Sequence, residues 1–293
     1  MRININNLIG FIFISAIFSQ VIINEYSASN LSEFTDNYQL EEDWIELYNP
    51  SSIDVNLTGF FLSDDENNPT KWVIPDGVII PATRYLTFWC SGRDEYTNEN
   101  LHTNFKLKQT KNTPDHVVFS NPNGEIINDI ELKRTQLDHS IGRFPNGSNN
   151  WKIFPSPTKN GANIGLNYID YAEKPIMSLE AGFFNGSQTL DISTNEPLSN
   201  IYYTTNGDDP MVNSTLYEGT LLVTHTLIYK AIVLSNDIDI LPSFISFNTY
   251  FIDENHALPI LSTSATQLTS LLNGNQNLKP HGTIEYFDVN GIS

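Results

Sequence analysis

Between Trp44 and Ile130 short apolar runs alternate with turn-forming residues at close intervals, the signature of half-buried β-strands. The run Trp44–Tyr48 (WIELY) has period two, with Ile45 and Leu47 on one face and Trp44, Glu46 and Tyr48 on the other. Asn49-Pro50 then stops it. Gly59–Leu62, Trp72–Ile74, Val78–Ile80, Tyr85–Cys90, His116–Ser120 and Glu125–Ile130 read as further strands, and Asn123-Gly124 marks a tight hairpin turn. About seven strands in roughly 110 residues predict a β-sandwich. This stretch shows no helical period of useful length.

Residues 146–162, rich in Pro, Gly, Asn and Ser, read as a closing loop, and 164–174 as a linker. A second β-unit over residues 175–253 is expected, with strands at Ile176–Leu179, Gln188–Ser193, Asn200–Thr204, Leu221–Val223, Leu227–Leu234 and Phe247–Ile252. Beyond it, Leu258–Leu261 and Thr283–Phe287 read as strands and Gln267–Leu272 as one or two helical turns. A hairpin signal at Asn290-Gly291 has no strand after it, so residues 254–293 are expected to be the incomplete start of a further domain. The fold class is therefore all-β: two immunoglobulin-like sandwiches in tandem plus an incomplete C-terminal segment.

Composition agrees with this class: apolar residues make up 40%, charged residues 17% and aromatics 12% of the chain. The formal charge of −19 disfavours nucleic acid and anionic membranes as partners. The deficit of cations is most marked in residues 163–293, which hold 14 acidic residues and three basic ones, Lys174, Lys230 and Lys279. At the N-terminus Arg2 precedes an apolar run from Leu8 to Phe18 that ends at Ser19 and Gln20. Such a run falls short of the roughly 20 residues that span a bilayer, and it predicts a secretory signal peptide over residues 1–20. Secretion or display at the cell surface follows. Cys90 is the single cysteine, so an internal disulfide is excluded, and its place in an apolar strand beside Trp89 marks a buried thiol.

Several motifs occur in the order of a known family. Asp43–Pro50 (DWIELYNP), Leu57–Asp65 (LTGFFLSDD), Asn68–Trp72 (NPTKW), Tyr85–Gly92 (YLTFWCSG), His102–Leu107 (HTNFKL), Asp138–Gly147 (DHSIGRFPNG) and Pro157–Asn163 (PTKNGAN) resemble the bacterial lamin-tail domain, with Lys159-Asn160 where that family commonly has a second proline. The resemblance covers residues 21–163 and implies an immunoglobulin-like sandwich that binds or anchors without chemistry of its own. Residues 175–252, through Ile201–Pro210 (IYYTTNGDDP), Tyr217, Ile228–Ala231 (IYKA) and Tyr250, resemble the small sandwich at the C-termini of chitobiases, an accessory module. Leu258–Ser262 (LPILS) and His281–Gly291 (HGTIEYFDVNG) look like the opening of the spore-coat-H-type atypical kinases. That family's nucleotide-binding residues are not in this sequence, so the chain as given is read as non-catalytic, with a cell-surface protein or polysaccharide as the expected partner.

Candidate chemistry is sparse. Asp138-His139-Ser140 contains the residue types of a hydrolytic triad, but adjacent strand residues point to opposite faces and do not converge. The six histidines, at positions 102, 116, 139, 225, 256 and 281, never fall in H-x-x-x-H or H-E-x-x-H spacing, so the spacing shows no zinc site. Asp64, Asp65 and Glu66 form an oxygen-rich loop with Asn67 and Asn68, and Asp208 and Asp209 form a second one; these five are the candidate calcium ligands, although the D-x-D-x-D-G spacing is missing. Trp44 with Tyr48, and Tyr202 with Tyr203 and Tyr217, are candidate glycan-stacking platforms, with core packing as the alternative. The basic stretch Lys106–Lys111 either meets an anionic partner or balances neighbouring carboxylates.

Overall fold

The computed structural model describes residues 20–97, 100–110, 112–275, 278 and 281–288. The expected signal peptide and the Asn290-Gly291 turn lie outside the described residues, apart from Gln20. No helix among the described residues is long and apolar enough to cross a membrane. The protein is almost all β and divides into two compact units, Met1–Gly165 and Leu166–Ser293.

Unit 1 contains thirteen described strands: β1 (Ile22–Ser27), β2 (Trp44–Tyr48), β3 (Val55–Asn56), β4 (Phe61–Ser63), β5 (Trp72–Val73), β6 (Ile79–Ile80), β7 (Tyr85–Trp89), β8 (Glu95–Thr97), β9 (Asn100–His102), β10 (His116–Ser120), β11 (Ile126–Glu131), β12 (Ser140–Arg143) and β13 (Trp151–Phe154). A seven-stranded sheet runs β13-β12-β1-β2-β7-β9-β8, and a four-stranded sheet runs β11-β10-β4-β5. Pairing is antiparallel except between β7 and β9. The sheets meet across an apolar core: Trp72 of β5 approaches Phe88 of β7 edge-on at 6.0 Å.

Period two in β2 sends Ile45 and Leu47 into that core, yet Trp44 and Glu46 on the other face are also fully buried. They are covered by the chain's own loops: Phe34 packs edge-on against Trp44 at 6.1 Å, and the Asn160 backbone lies over Glu46. Expected strands recur here with ends moved by a residue or two. The stretch 146–162, read as a closing loop, is corrected: Trp151–Phe154 in its middle pairs antiparallel with β12. Its four residues (WKIF), three of them apolar, are too few to stand out among Gly, Asn and Ser, and the ladder with β12 is what holds them extended. The pattern likewise does not single out β1, β3, β8, β9 or β12.

Unit 2 is built on a five-stranded sheet in the order Gly182–Phe184, Ser246–Ile252, Leu227–Ser235, Ser199–Thr204, Thr215–Leu216. Gln188–Leu190 pairs with Leu221–Val223, and Ile176–Met177 with Ile192–Ser193, so the single strand expected over 188–193 is broken between two small sheets. Leu190, Ile192, Val223, Tyr229, Ala231, Tyr250 and Ile252 form the core. Asp170–Tyr171, inside the stretch read as linker, pairs parallel with Ile240–Leu241. Farther on, Ile260–Ala265 pairs antiparallel with Gly282–Phe287, and a short helix, Leu268–Leu272, stands between them. Phe287 is fully buried and meets the Phe251 ring edge-on at 5.2 Å, while Glu285 accepts a hydrogen bond from the Thr249 backbone N–H.

Candidate functional site

The most elaborate polar assembly of unit 1 lies on the outer face of the seven-stranded sheet. The β1–β2 register shifts between Ile23 and Glu25, a bulge with Asn24 as the extra residue, and it leaves Glu25 directly opposite Glu46. Neither glutamate has exposed surface. Both hold the segment 157–163. Glu25 Oε1 accepts from the Thr158 N–H at 2.9 Å and from Ser140 Oγ at 2.5 Å, while Glu46 Oε2 accepts from the Asn160 N–H at 2.5 Å. Asn163 closes the clasp, donating through Nδ2 to the carbonyls of Asn24 at 3.2 Å and Arg143 at 2.9 Å. Gly142 is required beside it, because a Cβ there would lie 2.4 Å from Asn163 Nδ2.

The Thr158 hydroxyl donates to Glu25 Oε2 at 2.7 Å and lies 3.0 Å from Asn163 Oδ1, which also accepts from Asn24 Nδ2 at 3.1 Å. Burial raises the Glu25 pKa, and burial followed by the neighbouring Glu25 raises that of Glu46 to about 9. Neither carboxylate has an ion-pair partner among the described residues.

The clasp also shapes one wall of a cleft of about 430 Å³ lined by Thr35, Asp36, Asn37, Leu86, Thr87, Trp89, Asn100, Leu101, Lys159 and Asn160. Lys159 Nζ lies 4.7 Å from the Trp89 ring centre and 5.1 Å from that of Phe34, and burial lowers its pKa. Thr87 Oγ1 donates to Asn160 Oδ1 at 2.7 Å. The opposite wall is braced: Arg93 pairs with Asp36 at 2.6 Å and Glu42 at 3.1 Å, and His102 Nε2 meets Asn37 Oδ1 at 2.7 Å. The cleft thus offers hydroxyls, amides, the Arg93-paired carboxylate of Asp36 and one ammonium, beside Leu86 and Trp89, a lining able to hydrogen-bond a hydroxyl-rich ligand.

The five candidate calcium ligands do not gather. Asp64 pairs with Lys71 Nζ at 2.5 Å, Asp65 Oδ1 caps the Asn67 N–H at 2.9 Å, and Glu66 turns to His116. In unit 2, Asp208 accepts from Asn206 Nδ2 at 2.7 Å and Asp209 pairs with Lys230 Nζ at 2.8 Å. An ammonium therefore already sits on Asp64 and on Asp209, where a cation would need the oxygens.

Asp138, His139 and Ser140 do diverge, but not as one strand: Asp138 sits in a turn with φ 63° and only Ser140 belongs to β12. Asp138 Oδ1 accepts from the Leu31 and Ser32 N–H groups, the His139 carbonyl accepts from Ser27 Oγ, and Ser140 serves Glu25. Trp44 is fully buried, Tyr48 is half-buried and stacks on Tyr85 at 4.8 Å, and Tyr203 stacks on Tyr229 at 6.2 Å, so these aromatics pack internally. Cys90 is buried and its thiol pKa is pushed well up by desolvation. In the basic stretch Lys106 pairs with Glu42 at 3.1 Å and Gln109 bonds Thr135, while Lys111 lies outside the described residues.

The structure also assembles a group that histidine spacing did not reveal. Glu66, His116 and Asp129, from three separate parts of unit 1, each place one donor atom within 4.8 Å of the others.

Comparison with known proteins returns two family models and no matching curated protein. Residues 179–239 match the Chitobiase/beta-hexosaminidase C-terminal domain, and residues 254–293 lie outside both matches. Residues 15–134 match the Lamin Tail Domain, so unit 1 is similar to that family through β11, and its β12, β13 and clasp segment extend beyond the matched stretch.

Proposed function

We propose that the protein is an exported, non-catalytic binding and anchoring protein whose first sandwich holds an acidic, hydroxyl-rich ligand, a cell-surface polysaccharide, in the cleft beneath Lys159. The observation that carries this reading is the cleft itself: a concave, polar-lined space of about 430 Å³ with an ammonium group in a strongly acidic chain. Support comes from the two accessory-type domain matches and from the structural bonds that occupy the chain's Asp, His and Ser candidates. Stacking of sugars on exposed aromatic rings is not the mode favoured, because Trp44 is buried against Phe34, Tyr48 and Tyr203 stack on Tyr85 and Tyr229, and Tyr217 packs on the core of unit 2.

Isothermal titration with uronic-acid oligosaccharides tests the reading. Saturable binding that falls at least tenfold in Lys159→Gln, with neutral oligosaccharides binding more weakly, is the expected result. Absence of binding at millimolar sugar, or binding indifferent to Lys159→Gln, removes the cleft as the site.

A further inference from the structure

We propose that Glu66 and His116, with Asp129 positioned behind the imidazole, form a binding site for a divalent transition-metal ion of the zinc type on the four-stranded sheet of unit 1. The backbone builds the site. His116 opens β10 and stands opposite Glu131, while Asp129 stands opposite Val118; Asp129 is therefore a diagonal neighbour of His116 on the same face. The His116 N–H donates to the Asp64 carbonyl at 3.0 Å, which ties the acidic loop between β4 and β5 to the start of β10 and brings Glu66 over the ring.

The side chains then take distinct roles. Asp129 Oδ1 lies 2.7 Å from His116 Nδ1, a hydrogen bond that fixes Nδ1 as the protonated nitrogen and leaves the Nε2 lone pair outward. Glu66 Oε2 faces Nε2 at 3.8 Å. That gap is longer than a hydrogen bond. Two metal–ligand bonds of about 2.0–2.2 Å span it at a wide angle, and a few tenths of an ångström of movement by Glu66 brings it to the roughly 3.4 Å of a tetrahedral pair. The imidazole is mostly covered, with 20% of its side chain exposed, whereas Glu66 is 50% exposed and free to adjust. Lys71 occupies Asp64, so the carboxylate left to serve a cation from this loop is Glu66 rather than the Asp64–Asp65 pair.

Donor chemistry selects the metal. One imidazole nitrogen with carboxylate oxygen suits zinc, copper, nickel or cobalt and is a poor match to calcium, which takes six to eight hard oxygens. Water completes the coordination, so micromolar or weaker affinity is expected. A proton on Nε2 competes with the metal, which makes mildly alkaline conditions the right ones for measurement.

The test is isothermal titration of zinc chloride into the untagged full chain at pH 8 in a non-chelating buffer. One zinc per chain is expected, lost in His116→Asn, weakened tenfold or more in Glu66→Gln, and weakened 10–100-fold in Asp129→Asn, which keeps the ring but loses the carboxylate behind it. His256→Asn serves as the control, because His256 and Glu254 form a separate pair at 3.0 Å. Tryptophan fluorescence confirms that each variant is folded. Binding that survives His116→Asn, or no binding up to the solubility limit of zinc at this pH, overturns the site.

Discussion

Glu25 and Glu46 face each other across adjacent antiparallel strands, both without exposed surface and both bonded to the backbone of the same segment, residues 157–163. Two carboxylates so placed do not both ionise cheaply, because burial disfavours the charge of each and a charge on Glu25 adds to the burden on Glu46. The closing segment of the sandwich is thus held by a carboxyl pair whose charged forms burial disfavours.

The first prediction concerns pH. Burial raises both folded-state pKa values, that of Glu46 to about 9, above the unfolded carboxylate value of roughly 4.3. The folded state therefore binds more protons, and the pair's contribution is complete below the unfolded pKa and is lost as pH rises toward the folded one. All four tryptophans, Trp44, Trp72, Trp89 and Trp151, belong to unit 1, so their fluorescence follows its unfolding. The urea midpoint of that signal is expected to fall between pH 6 and 9, with a slope of up to about 1.4 kcal/mol per pH unit from Glu46. Glu46→Gln removes one titration and flattens the slope; an unchanged slope would show that the pair is not the source.

A second prediction isolates the clasp. Thr158→Val keeps the shape of the side chain and removes the hydroxyl that links Glu25 Oε2 to Asn163 Oδ1. The cost is expected to be about 1–3 kcal/mol, because the buried Glu25 Oε2 is left unserved. Since Lys159 follows directly and lies over Trp89, the native fluorescence spectrum should shift as well. Denaturant unfolding measures the first effect and the emission maximum the second.

In unit 2 the Lys230–Asp209 pair predicts an asymmetry. The Lys230 side chain is fully buried whereas Asp209 is 31% exposed. Asp209→Ala strands a buried ammonium and should cost about 3–5 kcal/mol, while Lys230→Met leaves an aspartate that water can reach and should be close to neutral. Far-UV circular dichroism of chemical unfolding compares the two. Equal losses in both variants would contradict the reading.

Cys90 offers a probe. With the thiol buried and its pKa pushed well up, a disulfide reagent at pH 8 should label the native protein only as fast as unit 1 opens. Labelling that keeps pace with the urea-unfolded chain would mean that the Tyr85–Trp89 region is open in solution.

Period two in WIELY and the short spacing of turn residues determined the all-β class, because side-chain alternation is a local property of extended backbone. Pattern also marked Cys90 as buried, a consequence of its apolar neighbours in sequence. The tertiary structure decided everything that depends on contacts between distant positions. Glu46 lies 114 positions from Asn160 and Glu25 lies 133 from Thr158, so no window of sequence shows that these carboxylates meet and hold the closing segment. Trp151–Phe154 becomes a strand because β12 pairs with it rather than through its own composition. The acidic loops looked like cation sites because their residues are adjacent in sequence, yet Lys71 from the same loop occupies Asp64 and Lys230 from the Leu227–Ser235 strand occupies Asp209. The cluster that does assemble, Glu66 with His116 and Asp129, draws on the loop and on two paired strands, and only the sheet register brings those three side chains to one place.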